Sequence, residues 1–167
     1  MKKLTTIILA AGKGTRMNST LSKVLHPIAN QSMLSHVVDK SKKLNSDKII
    51  IVVNKDFKIP KIKADSKIIY VIQKNQLGTG DAIKSCLKNI DKNNNKVLVL
   101  YADVPLINTS TLSKLINLRF KNEVKILAFK KTEENNYGKL IIKNSFVEKV
   151  IEDEKFIESH KSGYFIE

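Results

Sequence analysis

Cys86 is the only cysteine among the 167 residues, which excludes a disulfide framework and a cysteine-built zinc site and fits a reducing cytoplasm. Arginine is nearly as scarce. Arg16 and Arg119 are the only two, although basic residues number 30 against 16 acidic ones, for a net charge of +14. Base readout and bidentate phosphate clamping favour the arginine fork. A charge made of lysines scattered along the whole chain is a poor match to that signature, so no nucleic acid partner is expected. Such a charge does raise the local concentration of anionic substrates. Long apolar runs are also missing: none approaches the roughly 20 residues of a bilayer crossing, so no membrane partner is expected. Lys2 and Lys3 followed by an apolar stretch imitate an export signal. That stretch is short, however, and leads straight into Lys13, Arg16 and globular sequence. No repeat and no Pro/Gly/Ser-rich linker divides the chain. With 42% hydrophobic residues, 1–167 is expected to form a single domain with a proper core.

Within that chain, strand-like apolar runs at 4–10, 48–53, 68–72 and 97–101 alternate with helix-like stretches. Met33, Leu34, Val37, Val38, Ser41 and Leu44 share one helical face, as do Ile83, Cys86, Leu87 and Ile90. A third helix is expected from Thr109 or Ser110, either of which can cap it, to about Phe120. Near-continuous apolar strands alternating with helices predict an α/β fold, Rossmann-like, with a mostly parallel sheet covered by helices on both faces. After Glu123 the rhythm changes. Residues 124–129, 139–142, 146–151 and 164–166 read as strands without long helices between them. Lys143-Asn144-Ser145 reads as a tight turn, so an antiparallel β extension is expected on the C-terminal side.

Open α/β sheets bind ligands beyond the carboxyl ends of their strands, and three such ends carry unusual residues. The first is LAAGKGTRM, residues 9–17. A Walker loop needs Ser or Thr after Gly-Lys to hold magnesium, and Gly14 stands there. The dinucleotide fingerprint needs a third glycine where Met17 stands. What remains is a turn of small residues whose backbone N–H groups can approach phosphate oxygens, with Lys13 and Arg16 as counter-charge. The second, QKNQLGTG at 73–80, offers amide donors and acceptors for a base edge. The third, YADVP at 101–105, places Asp103 at a strand end, a hard oxygen ligand suited to magnesium between phosphates. His26, His36 and His160 lack partners at metal-ligand spacing and are expected to pack or bond locally. Cys86 reads as a small core residue.

With LAAGKGTRM, SKVLH (22–26), VIQKNQLGTGDA (71–82) and LYADVPLI (100–107) in this order, and NYGKL (136–140) fitting more loosely, the chain resembles the sugar nucleotidyltransferases. It is most similar to the uridylyltransferase half of the bifunctional N-acetylglucosamine-1-phosphate uridylyltransferases. The resemblance implies a magnesium-dependent enzyme that joins UTP and N-acetylglucosamine-1-phosphate into UDP-N-acetylglucosamine and pyrophosphate, a precursor step for peptidoglycan. It implies that Leu9, Ala10, Ala11 and Gly12 lie against the nucleotide, with Gly14 wrapping the triphosphate. Arg16 would steady the pyrophosphate, and Lys23 would bridge the α-phosphate and the incoming sugar phosphate. Gln73, Gly78 and Thr79 would recognise uracil. Tyr101 and Asp103 would meet ribose and sugar, with Asp103 holding magnesium, and Gly138 and Glu152 would contact the amino sugar.

In-line attack by a sugar-phosphate oxygen needs no general base, because that oxygen is already an anion near neutral pH. Alignment and charge neutralisation carry such a reaction, in keeping with the absence of a triad. The chain departs from the pattern at Ala102, where the family has glycine, at Ser22, where it has proline, and at Lys161, where an asparagine is expected. The resemblance also places the second magnesium ligand beyond Glu167, so the domain is expected to be incomplete. Two alternatives stay open: a nucleotidyltransferase for another nucleotide or sugar phosphate, and a truncated nucleotide-binding module with little activity. Oligomeric state is not legible.

Overall fold

The computed structural model describes residues 3–12, 14, 17, 19–60, 65–91, 95–117, 124–129, 138–144, 146–151 and 164–165. They fall into two compact units, Met1–Asn117 and Leu118–Glu167. The first unit is built on four parallel strands: β1 (Lys3–Leu9), then, after the short hairpin β2 (Pro27–Ile28) and β3 (Gln31–Ser32) and helix α1 (Met33–Lys43), β4 (Lys48–Val53) and β5 (Ile68–Ile72). Helix α2 (Thr79–Cys86) leads to β6 (Asn95–Tyr101), and α3 (Thr109–Asn117) closes the unit. The spatial order is β5-β4-β1-β6. The chain therefore steps from β1 outward to β4 and β5, then crosses back to pair β6 with the other side of β1.

That reversal puts the helices on opposite faces, because parallel crossovers keep one hand. Alternation along the strands shows it directly. Ile49, Ile51 and Val53 of β4 pack with Leu34, Val37 and Val38 of α1 and Leu112 of α3. Ile50 and Val52 pack with Ala82 and Cys86 of α2. A strand buried on both sides needs apolar residues at every position, which is why KIIIVV shows no alternation. The buried Thr6 hydroxyl is satisfied by that of Ser46 at 2.7 Å, so its polarity costs little.

The helices start where caps allow. Ser32 accepts the Ser35 N–H at 3.1 Å to open α1, whose last turn carries Lys40, Lys42 and Lys43 against the carboxyl end of the dipole. Helix α2 begins earlier than its apolar stripe, at Thr79, and the chain tightens into a 3-10 turn at Leu87–Asn89. Leu87 leaves the apolar face for that reason and is exposed. The β2–β3 hairpin was not expected from the sequence; Ala29 and Asn30 make its turn with positive φ values of 47° and 65°.

In the second unit, β7 (Lys139–Lys143) pairs antiparallel with β8 (Phe146–Ile151) and with β9 (Tyr164–Phe165). The expected antiparallel extension is there, with Asn144 at φ 50° in the turn; Ser145 and Ile166 lie outside the described residues. The expected strand at 124–129 is not. Only Phe129 makes an isolated bridge, and Val124 is 91% exposed. Strand propensity yields a strand only when a ladder partner is supplied, and residues 124–128 join no ladder among the described residues. Among the described residues no helix is long and apolar enough to cross a membrane.

Candidate functional site

The chain's reversal lies beside β1, and there the loops after β1, β5 and β6 open together onto one cavity of about 790 Å³. Its walls include Leu9, Ala10, Ala11, Gly12, Gly14, Lys23, Gln73, Gly78, Thr79, Tyr101 and Asp103, the motif residues of all three loops. A crevice at the strand-order reversal is where open α/β sheets bind nucleotides. The sheet sets the loops by extending its ladder past the strand ends: the Ala10 N–H donates to Val52 O at 2.8 Å, Ala102 N–H to Leu9 O at 3.0 Å and Gln73 N–H to Val53 O at 2.8 Å.

Gly14 is required twice over. Its φ of +58° belongs to the left-handed region, and a Cβ there would stand 3.0 Å from the Lys23 Cβ. The glycine-rich turn and the SKVLH segment thus touch backbone to side chain, which delivers Lys23 to the cavity wall. Lys23 itself opens a 3-10 turn, Lys23–Leu25, pinned by the buried Val24. Its Nζ donates to Asp103 Oδ2 at 2.8 Å. Both side chains are more than a third exposed, at 41% and 35%, so the pair is worth only about 0–1 kcal/mol to stability. Its consequence is positional: the cation of one motif meets the carboxylate of another inside the same cavity.

Across the cavity the 73–80 loop is held by its own side chains. Gln73, buried to 5%, donates from Nε2 to Gly78 O at 3.1 Å and to Asp81 Oδ2 at 2.8 Å. Gln76 donates from Nε2 to Ala11 O at 3.2 Å, tying this loop to the turn after β1. The backbone is strained at Gln76, a non-glycine residue at φ 45°, while φ 98° at Gly78 is a region that glycine enters freely. Gly78 caps α2 with no side-chain bond, leaving the helix's N-terminal N–H groups at the cavity, where Thr79 also lies.

Arg16 and Glu152 lie outside the described residues, as does Lys161. Gly138 precedes β7 in the second unit. Ala102, in place of the family's glycine, is fully buried in the core with Val24 and Leu112 and does not line the cavity. Ser22, in place of proline, has φ −54° and keeps its hydroxyl buried without a partner among the described residues. His36 bonds Ile28 O at 2.8 Å, a structural role. Sequence reasoning missed Gln76 and Asp81 as members of this loop's network, and Met17, Val24 and Ala82 in the cavity wall. The QKNQ stretch signalled Gln76; nothing in the sequence signalled that Asp81 reaches back eight residues to Gln73.

The chain matches the MobA-like NTP transferase domain over residues 6–152. It is 40% identical over 173 aligned residues to the "Bifunctional protein GlmU" of Buchnera aphidicola subsp. Schizaphis graminum, covering 99% of this chain and 37% of that protein. The chain thus spans well under half the length of the curated relatives it matches. Among solved structures, a Bacillus anthracis protein assigned as a glucose-1-phosphate thymidylyltransferase, in complex with a sucrose, superposes with a TM-score of 0.75 at 20% identity. That match covers 98% of this chain and 68% of the other. Rv0371c of Mycobacterium tuberculosis, in complex with manganese, superposes with a TM-score of 0.52 at 18% identity, over 69% of this chain and 58% of the other. At such identities the structures speak for the fold, while the family match covers most of the sequence: this chain belongs to the MobA-like NTP transferase family and is a nucleotidyltransferase domain.

Proposed function

We propose that this domain joins UTP and N-acetylglucosamine-1-phosphate into UDP-N-acetylglucosamine and pyrophosphate, with magnesium. The observation that carries the reading is the convergence of the three motif loops on one cavity beside the strand-order reversal. In the proposed reaction an oxygen of the sugar phosphate attacks the α-phosphorus of UTP in line. A new P–O bond forms as the bond to the β-phosphate's bridging oxygen breaks, and pyrophosphate leaves with that electron pair.

The residues divide the work by chemistry. The small residues Ala10 to Gly14 let backbone N–H groups approach the triphosphate closely. Lys23 neutralises charge between the two reacting phosphates, and Arg16 does so at the leaving pyrophosphate. Gln73, Gly78 and Thr79 hold the base, Tyr101 the ribose. Gly138 and Glu152 contact the amino sugar. Asp103 suits magnesium: it is a hard oxygen donor at the cavity wall, and it already accepts a cation, the Lys23 ammonium, on Oδ2. Bound there, magnesium would supply charge neutralisation between phosphates. Among the described residues no cluster of three or more metal-ligating side chains exists. That fits an ion held by one or two carboxylates plus the substrate's own phosphates.

Incubating the full-length natural chain with UTP, N-acetylglucosamine-1-phosphate and magnesium, and following pyrophosphate, tests the reading. Turnover is expected. Absence of both turnover and UTP binding would sink it, and binding without turnover would favour a nucleotide-binding module. Lys23→Ala and Asp103→Asn are each expected to lower kcat/KM by about 10²–10³-fold. Gly14→Ala should cost about 1–3 kcal/mol of stability through its φ, and weaken UTP binding by displacing Lys23.

A further inference from the structure

The Gln73 amide has its orientation decided by its partners. An amide nitrogen carries two hydrogens and an amide oxygen carries none. The end of Gln73 that lies 3.1 Å from the Gly78 carbonyl and 2.8 Å from the Asp81 carboxylate must be the nitrogen, since both neighbours only accept. Its two hydrogens are therefore spent within the loop. The Gly78 carbonyl is spent as well, because it takes the Ala82 N–H at 3.2 Å in addition to Gln73. An occupant of the cavity that these residues line can meet the Gln73 oxygen, an acceptor, and the Gly78 N–H, a donor with no partner among the described residues.

We infer that Asp81 is a positioning residue that sets base choice: by holding the Gln73 nitrogen it presents an acceptor beside a donor to the base. This rests on the reading of the cavity as a UTP site. Uracil offers the complement, an N3–H beside a carbonyl oxygen. Cytosine offers the reverse, a bare N3 beside an amino group, and meets acceptor against acceptor at one position and donor against donor at the other. Asp81 does not need to touch the base. It sits in the first turn of α2, where a carboxylate is favoured by the helix dipole, and it also receives the Leu77 N–H at 3.5 Å. Without the carboxylate, only the Gly78 carbonyl still holds the Gln73 nitrogen, and the amide turns over more readily to offer its NH₂ to cytosine N3.

The test is equilibrium binding of UTP and CTP, each with magnesium, to the full chain and to its Asp81→Asn and Asp81→Ala variants. The unmodified chain should prefer UTP by about 10–100-fold, the worth of one or two hydrogen bonds satisfied or left unpaired. Both variants should narrow that ratio at least about fivefold, with Asp81→Ala binding CTP more tightly than the unmodified chain does. A merely structural lesion weakens both nucleotides alike and cannot improve CTP. Variants that melt at the parent Tm yet keep the parent ratio overturn the inference. A measurement on the unmodified chain stands independently of any variant: UTP methylated at N3 should bind at least about tenfold more weakly than UTP. Equal binding of the two overturns the inference while leaving the UTP site standing, whereas no binding of UTP at all removes the underlying reading instead.

Discussion

Strands β4 and β8 are each six residues long, and each carries Val and Ile, yet they live in different environments. In KIIIVV all but the first residue are buried; in FVEKVI all but the last are exposed. The difference lies in what covers them. β4 has a strand on either side and helices on both faces, so its ladder and its side chains are all enclosed. β8 pairs only with β7 among the described residues, and Phe146, Val147 and Val150 are 71%, 41% and 44% exposed. Hydrophobic content alone does not bury a strand. Glu148 and Lys149 interrupt the run in β8, and such an interruption marks a strand with a wet face.

Truncations should break this comparison most visibly. Ile51→Ala removes a side chain enclosed among α1, α3 and the sheet and should cost about 2–5 kcal/mol in urea unfolding. Val150→Ala should stay within about 0.5 kcal/mol. Equal costs would mean that β8 is as enclosed as β4. Amide exchange sharpens the same contrast: β1 and β4 should exchange only by the slowest opening, β8 by faster local opening. Cys86 reports on the second face of β4. It is fully buried, burial pushes its thiol pKa up, and a thiol reagent should modify it only as fast as that face opens. Rapid labelling of the native chain would show the α2 face uncovered.

Smaller effects are expected at the margins of the covered unit. Ser22→Pro should stabilise by about 0.4–1 kcal/mol, since φ −54° already suits proline and a buried hydroxyl without a partner among the described residues disappears. Asp65 has its pKa held below the ordinary 3.8, first by the Lys67 N–H and then by the Lys42 ammonium. A carboxylate depressed in the folded state contributes stability above its unfolded pKa and loses it as pH falls through the folded one. The difference in stability between the natural chain and Asp65→Asn should therefore be small at pH 7 and shrink further below about pH 4.

Much of the covered sheet was legible because its signal is one-dimensional. The runs 48–53 and 68–72 coincide with β4 and β5, and the glycine-rich and aspartate-bearing strand ends mark the cavity. Partnership is what a single sequence hides. Residues 124–128 have the composition of a strand and join no ladder among the described residues, and the β2–β3 turn rests on two non-glycine residues at positive φ. Asp81 looks like an ordinary helix-start acid until Gln73 is seen bonded to it. Ala102 shows the converse. This departure from the family's glycine, next to Asp103, packs inward, because alternate residues at a strand end point opposite ways.

The central place of β1 has a consequence for how the chain is made. Of the four parallel strands β1 is made first, and the strands that flank it are made later. The Leu4 N–H waits for Asp47, 43 residues on, and Lys23 waits for Asp103, 80 residues on. No stretch of nascent chain that stops short of β6 can enclose β1 on both sides. The cavity thus closes only after β6 has been made, following a long interval in which a bare apolar strand must be kept from other chains.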